Sequence, residues 1–376
     1  MLSRASFAVA ALLASSTLSC AVSTMVGNNA VAFFQKPASV PHKIDRPFRA
    51  DARLAVLWIG HASMLVQIDD KLILTDPVLT ETVAQVSRRL VEPGIDAAAI
   101  PHVDAAIISH LHPDHLSMGS LQMLERKLGC LVVPEQGTAH VPDFAFETVE
   151  LPFWRSFERA GLRITAVPVR HTGFRWGVDS MWMTGKGFSG YVIEYHGITV
   201  YFGGDTAYAK AHFEATRARF PKIDLAILPI APARPRDIME GMHIDPAEAL
   251  DAFRDLGARF MVPMHHSTFI NSVDPPTTSP ASFRGSRPSG GSSIGCRSSP
   301  SASKRSSSPA EERAEREAVA GHRCRSIDIA IRRRQPFCFG CRHRTARGSS
   351  WRARRTAPGV GRPASRRARP SATLLP

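Results

Sequence analysis

The stretch Ser109-His110-Leu111-His112-Pro113-Asp114-His115-Leu116 decides how the rest of the sequence is read. It places three histidines and one carboxylate close together, directly after the apolar run from Asp104 to Ser109. That run is short, continuous and partly β-branched, so it reads as a buried strand. The residues after it therefore emerge on a loop at a strand end. In an extended loop, side chains two apart point the same way, so His110 and His112 converge on one point. Pro113 cannot continue a ladder; the chain turns there and swings Asp114 and His115 towards a second point nearby. Imidazole nitrogens and a carboxylate suit zinc, at about 2.0–2.2 Å from each ligand atom.

Composition bounds what surrounds this cluster. The chain has 376 residues and a formal net charge of +14, a balance that suggests a nucleic-acid binder until its distribution is read. Of the 47 Lys+Arg, 22 lie after residue 275, with 5 of the 33 Asp+Glu. The tail alone is therefore basic, at +17, and residues 1–275 carry −3, which argues against nucleic acid as the partner of the body. Of the six cysteines, only Cys130 falls inside the body, in an apolar run that reads as a packed, inert thiol. No internal disulfide framework is expected there. Cys338-Phe-Gly-Cys341 has the spacing of a zinc knuckle but no second pair in frame.

The amino terminus reads as an export signal. Arg4 supplies a positive start, Ala5 to Ala14 an apolar core too short to span a bilayer, and small residues follow. Thr17-Leu18-Ser19-Cys20 resembles a bacterial lipobox with its leucine one place off. Read that way, residues 1–20 are a lipoprotein signal and Cys20 is an acylated membrane anchor; otherwise cleavage near Ala21 releases a periplasmic protein. Residues 21–50, with Pro37, Pro41 and Pro47, read as a linker or strap.

A body over 51–275 follows. Leu54–Trp58, Ser63–Asp69 and Lys71–Thr75 read as strands, the last two joined at Asp69-Asp70. Residues 80–92 read as a helix or lid. Met118–Leu128 is helical in pattern, Leu131–Val133 and Phe144–Leu151 are strands, and Leu162–Val169, Gly187–Tyr195 and Ile198–Phe202 form a further strand group with His196-Gly197 as a turn. Tyr208–Arg219 is a helix and Leu225–Ile230 a buried strand. Asp245-Pro246 starts a helix that stops at Gly257, and Phe260–Val262 is the last strand. Strands in blocks with helices between them favour packed layers of sheet and helix, an α/β class.

Three further stretches repeat the pattern of a metal-type residue just beyond a strand: Val167-Pro-Val-Arg-His171, Phe202-Gly-Gly-Asp205-Thr and Met261-Val-Pro-Met-His265. Such residues at successive strand ends imply one shared rim. His110, His112, Asp114, His115, His171, Asp205 and His265 together resemble the metallo-β-lactamase fold superfamily, over about residues 54–270. The words Trp58-Ile-Gly-His-Ala-Ser63, Leu74-Thr-Asp-Pro77, His243-Ile-Asp-Pro246 and Met264-His-His-Ser-Thr-Phe269 look like the branch holding the phospholipase D that hydrolyses N-acylphosphatidylethanolamine and the bacterial ascorbate-6-phosphate lactonase.

The resemblance implies a four-layer αβ/βα sandwich with two zinc ions, manganese or iron remaining open from ligand type alone. By position His110, His112 and His171 would hold one ion, Asp114, His115 and His265 the other, and Asp205 would bridge them. A zinc-activated hydroxide would attack a phosphodiester such as an N-acylated phospholipid, or the alternative substrate, a phosphorylated sugar lactone. Asp114 or Asp205 would orient the nucleophile and accept its proton, and His243 would contact substrate or leaving group. Apart from the resemblance, Arg236 reads as a partner for a substrate phosphate or as a solvated loop charge, and His61 as lining the same rim beside substrate or as satisfying its own turn. Asp76 is a candidate acceptor for a ligand histidine's other N–H. Trp154, Trp176, Trp182 and Met181–Met183 read as core packing or as an apolar substrate wall.

Residues 276–376 are rich in Arg, Ser and Pro, and such a segment buries too little apolar surface to offset its ordering entropy. It is expected to be disordered, and it resembles a GC-rich gene read in a shifted frame. An apolar helix and strand in another frame beyond Pro276 would support that reading, and their absence from both would defeat it. The reading from another class is a membrane or nucleic-acid binder that works through this tail, beside an impaired hydrolase domain.

Overall fold

The computed structural model describes residues 20–41, 43–175, 185–274 and 328–332. All lie in the first of two units, Met1–Arg333; the second, Arg334–Pro376, falls outside the described residues, as do residues 1–19, Trp176, Trp182, Met181 and Met183.

The body opens on three strands, β1 (Ala52–Gly60), β2 (Ser63–Ile68) and β3 (Lys71–Thr75), which pair antiparallel in sequence order. A small hairpin of β4 (Thr82–Val83) and β5 (Ser87–Arg88) follows, then β6 (Ala105–Ile107), helix α2 (Met118–Leu124), β7 (Cys130–Pro134) and β8 (Glu147–Leu151). β6, β7 and β8 add to β3 in parallel, completing a first sheet. The second sheet runs in the order β14-β13-β12-β11-β10-β9. Its strands are β9 (Ser156–Arg159), β10 (Leu162–Val167), β11 (Gly190–Tyr195), β12 (Ile198–Phe202), β13 (Leu225–Pro229) and β14 (Phe260–Met264). Helix α3 (Lys210–Arg219) joins β12 to β13, and α4 (Arg236–Met239) and α5 (Pro246–Leu256) join β13 to β14.

Alternation within the strands sets the layers. Val56, Met64, Val66 and Ile107 of the first sheet pack with Ile164, Ile193, Val200, Ile227 and Val262 of the second in one shared core. Their neighbours one position along face outward. Leu57, Leu65, Leu74 and Leu131 pack on Leu121 and Leu124 of α2; Tyr201, Ala226 and Leu228 pack on Phe213 of α3 and on Ala249, Leu250 and Leu256 of α5. The order is helix, sheet, sheet, helix, the four-layer sandwich that the family resemblance implies. Asp245 caps α5 through the N–H groups of Ala247 and Glu248, Glu248 returns the contact, and Gly257 ends the helix at φ +63°.

Three expectations need correction. Residues 80–92 form the β4–β5 hairpin and not a helix, because Ala84 and Gln85 adopt left-handed φ of 49° and 60° and turn the chain back. The span 21–50 is not all strap: residues 20–33 form a helix, α1, and only the following stretch crosses the surface, bonding from Ala38 to Leu90 and from Ile44 to Gly94. The tail is not wholly irregular, since Asp328–Arg332 forms β15, antiparallel to β1 at the edge of the first sheet.

Candidate metal centre

Every metal-type residue singled out in the sequence lies just beyond a strand at one rim of the sandwich. His61 follows β1, Asp76 follows β3, and His110 to His115 follow β6. His171 follows β10, Asp205 follows β12, and His265 follows β14. Three overlapping groups have ligand atoms within metal-binding reach of one another: His110, His112 and His171; His110, His115 and Asp205; and His61, Asp114, His115 and His265.

The hydrogen bonds behind these rings decide what their inner nitrogens carry. His115 Nδ1 lies 2.7 Å from Asp76 Oδ2, His171 Nδ1 2.9 Å from the Met242 carbonyl and His265 Nδ1 2.8 Å from the Ala231 carbonyl. Facing acceptors, each Nδ1 holds a proton, which leaves Nε2 as the ring atom turned inward. Ser109 Oγ donates to Asp76 Oδ2 at 2.6 Å and so accepts from His110 Nδ1 at 2.9 Å, giving His110 the same tautomer. The inner atoms then crowd: His110 Nε2 is 2.8 Å from His112 Nδ1, and His115 Nε2 is 3.1 Å from His265 Nε2. Lone pairs that close repel unless a proton or a cation lies between them. Among the described residues, His112 Nε2, His171 Nε2 and Asp205 Oδ1 are buried without a partner, a costly arrangement in a dry interior. The donor set and its orphaned atoms fit a bound cation.

Electrostatics point the same way. Burial holds His110 and His171 well below the ordinary imidazole range, with neighbouring rings adding to it, so both stay neutral. Burial acts on His115 in the same sense, but Asp205, Asp76 and Asp114 outweigh it and hold that ring protonated. Burial opposes ionisation of Asp205 and Asp114, and the facing histidines overcome it. A site that draws a proton onto a fully buried imidazole is negative enough to exchange it for a metal.

The local fold is strained to make this. His61, Asp76 and His265 all take left-handed φ, at 55°, 34° and 62°, a conformation that costs roughly 1–3 kcal/mol per residue and gathers at functional sites. Gly204, at φ +56°, has no room for a side chain: a Cβ there would lie 2.3 Å from Ser109 Cβ. That contact sets Asp205 of the second sheet against the Ser109–His115 loop of the first. The loop itself is clamped by Arg175, which donates from Nη1 to the carbonyls of Leu111 and Leu116, both at 2.9 Å.

His61 is buried, with Nε2 3.0 Å from Asp114 Oδ2 and its ring 3.9 Å from that of His265. It lines the same rim as the ligand-type residues, inside the cluster. His243 Nδ1 is 3.6 Å from Asp205 Oδ2, and burial pushes the ring down to about 4. Arg236 was expected on substrate. Its guanidinium instead pairs with Glu248 and donates to the His243 carbonyl at 2.9 Å, because the capping turn of α5 brings a carboxylate beside it. Trp154 packs with the outer core under Arg219. Cys130 is buried, its thiol pushed up to about 11 by burial, as an inert packed cysteine should be. Sequence reasoning did not find Ser109, which links Asp76 to His110, nor Arg175, nor Phe174, whose ring lies 4.7 Å from that of His112. Backbone acceptors at Ala231 and Met242 leave no side-chain signal at all.

A four-layer sandwich with histidines and aspartates converging from both sheets on one rim defines a class of metal-dependent enzyme folds. A family model described as the beta-lactamase superfamily domain matches residues 71–266, and the chain belongs to that superfamily. It is 30% identical to a metal-dependent hydrolase of Thermococcus onnurineus, over 57% of this chain and 85% of that one. An uncharacterized protein of Mycobacterium tuberculosis is 32% identical over 62% of this chain and 64% of its own length. The mitochondrial N-acyl-phosphatidylethanolamine-hydrolyzing phospholipase D of Saccharomyces cerevisiae is 29% identical over 57% of this chain and 48% of its own. The chain thus spans less than two thirds of the mycobacterial relative and about half of the yeast one.

Proposed function

We propose that the chain is a hydrolase that uses two zinc ions to cleave a phosphodiester, with an N-acylated phospholipid as the leading substrate. The observation that carries this is the convergence of imidazole nitrogens and two ionised carboxylates in overlapping groups, two of which share His115. His110, His112 and His171 would hold one ion; Asp114, His115 and His265 the other; Asp205 lies between them. When bound, the ions supply an activated water as nucleophile and draw off charge that grows on the phosphoryl oxygens.

The chain's own residues do the positioning. Asp76 fixes the tautomer of His115 directly and that of His110 through Ser109. His61 Nε2 donates to Asp114 Oδ2, which orients that carboxylate, the more exposed of the two acids. Asp114 can then accept the proton of the attacking water. His243, neutral at neutral pH, offers a ring N–H to a phosphoryl or leaving oxygen, and Arg236 holds its carbonyl in place. The yeast relative's name favours a phospholipid over a lactone. Export and a lipid anchor at Cys20 belong to the same proposal, since they would place the enzyme beside such a substrate.

The test is a turnover screen with zinc-loaded protein against bis(p-nitrophenyl) phosphate, N-acylated phosphatidylethanolamine and phosphorylated sugar lactones, beside His112→Ala. Phosphodiester cleavage that is lost on chelation and in the variant supports the proposal. Turnover confined to the lactones, or unaffected by His112→Ala, defeats it.

A further inference from the structure

Helix α1 carries a feature that the rim chemistry does not use. From Cys20 to Gln35 the sequence holds no charged residue. The helix turns Ala21, Met25, Asn29, Ala32 and Phe33 towards the protein, and of these only Ala32 is fully buried. Val22, Val26, Ala30 and Phe34 recur at every fourth position and form one continuous row. Val22, Val26, Val31 and Phe34 are 46%, 59%, 62% and 86% exposed. Ser23, Thr24, Gly27 and Asn28 fill the rest of the outer face, all small or uncharged. Seven large apolar side chains are exposed among the described residues, and four of them are on this helix and its end. A fifth, Val86, sits in the turn of the β4–β5 hairpin, which Arg88 ties to the helix by donating to the Phe33 carbonyl at 2.9 Å. Asn29 Nδ2 donates to the Ile270 carbonyl at 2.8 Å, so the helix also rests on the chain just after His265.

We propose that α1 and the β4–β5 turn form a docking face for a lipid bilayer, with α1 lying in the interface and Val22, Val26, Val31 and Phe34 among the acyl chains. A water-facing helix ordinarily carries charge on its outer face. A contiguous apolar row without charge marks a buried contact. The sequence beside it says which contact: Cys20, the first residue of the helix, closes the lipobox-like Thr17-Leu18-Ser19-Cys20, and acylation there would tether α1 to a bilayer. Where residues 1–19 stay on the chain, their apolar run Ala5–Ala14 favours the same phase. With no basic residue on its face, the helix inserts by apolar burial alone and not by attraction to anionic headgroups. This separates it from the tail, whose net charge of +17 would bind only anionic surfaces and would release in salt. Lipid delivery to the rim rests on the phospholipid reading above; the docking itself does not.

The experiment uses the full chain and vesicles of phosphatidylcholine and phosphatidylethanolamine, which carry no net charge. Co-sedimentation should be the same at low and high salt. The triple variant V22S/V26S/F34S should partition at least about tenfold less, from the apolar area it removes, with an unchanged thermal midpoint because all three positions are exposed. The variant F34W should show emission that shifts blue and is quenched by brominated acyl chains only when vesicles are present. Sedimentation of the triple variant equal to the parent's, or failure of the parent to bind, overturns the proposal. Binding that appears only when an anionic lipid is added to the vesicles, and is lost at high salt, does so in favour of the tail. A blue shift that rises with protein concentration alone does so in favour of a second copy of the chain. Turnover of bis(p-nitrophenyl) phosphate is read on both proteins. Its absence from both would defeat the phosphodiesterase reading and leave docking standing.

Discussion

At the scale of single residues, Asp76 is the side chain on which most depends. Its carboxylate accepts from the Ser109 N–H, the Ser109 hydroxyl and His115 Nδ1, all while fully buried. Asp76→Asn keeps the shape but replaces one acceptor oxygen with a donor, and so opposes either the Ser109 or the His115 proton. Zinc affinity should fall about 10–100-fold, measured by competition with a chromogenic chelator; unchanged affinity would show that Asp76 does not set the tautomer. Gly204→Ala tests the opposite kind of constraint, space. The new methyl meets Ser109 at a non-bonded distance no pair of carbons tolerates, so about 2–4 kcal/mol of stability should be lost by strain and overpacking, read from urea unfolding. The metal-type residues were legible in the sequence because each stands directly beyond an apolar run. His61 was legible only as a rim or turn residue, since a single histidine after a strand carries no sign of which carboxylate it will meet. Arg236 showed the converse. A cation in a loop looks available for substrate until the fold supplies Glu248 beside it.

Among the elements, hairpins bind the two sheets together away from the rim. Arg53 of β1 holds Asp69 of the β2–β3 turn through two nitrogens, at 3.1 and 2.9 Å, and donates to the carbonyl of His196 in the β11–β12 turn. The Arg53 hydrogen bond lowers the Asp69 pKa against the opposing effect of burial. A depressed carboxylate stabilises the fold above its unfolded value, about 3.9, and the contribution disappears as pH falls through the lower folded value. Asp69→Asn should therefore cost about 0.5–1 kcal/mol near neutrality, and the gap in thermal midpoint from the parent should close in acid. A gap that persists below the folded value would point to packing and not charge. The two turns were read from sequence because Asp69-Asp70 and His196-Gly197 are turn formers between apolar runs. The β4–β5 hairpin was missed because Ala84 and Gln85 are not residues that announce a left-handed turn. β9 was missed because its residues are mostly exposed and carry no apolar alternation.

For the whole molecule, packed layers of sheet and helix were legible because strands come in blocks with helices between them, while the four-layer order came from the family resemblance alone. The final strand was not legible. Ser326-Ile-Asp-Ile-Ala-Ile-Arg332 alternates with a period of two, but it lies among arginines and serines that hide it. Because β15 covers the edge of β1, a chain ended after Asp274 should expose that edge and aggregate faster on warming, followed by light scattering. Equal behaviour of the two chains would mean that β15 does not protect it.

Metal should also raise the thermal midpoint of the intact chain, by about 4 kcal/mol of stabilisation at a thousandfold excess over Kd, and a chelator should reverse it. The donors are divided between the halves of the sandwich, His110 to His115 on one and His171, Asp205 and His265 on the other. No partly made chain can assemble them before β14 is in place. A bound ion would therefore act as a clasp fastened last, and its uptake in stopped-flow refolding should trail the far-ultraviolet signal. Cells short of that metal would then accumulate molecules with finished architecture and an open seam.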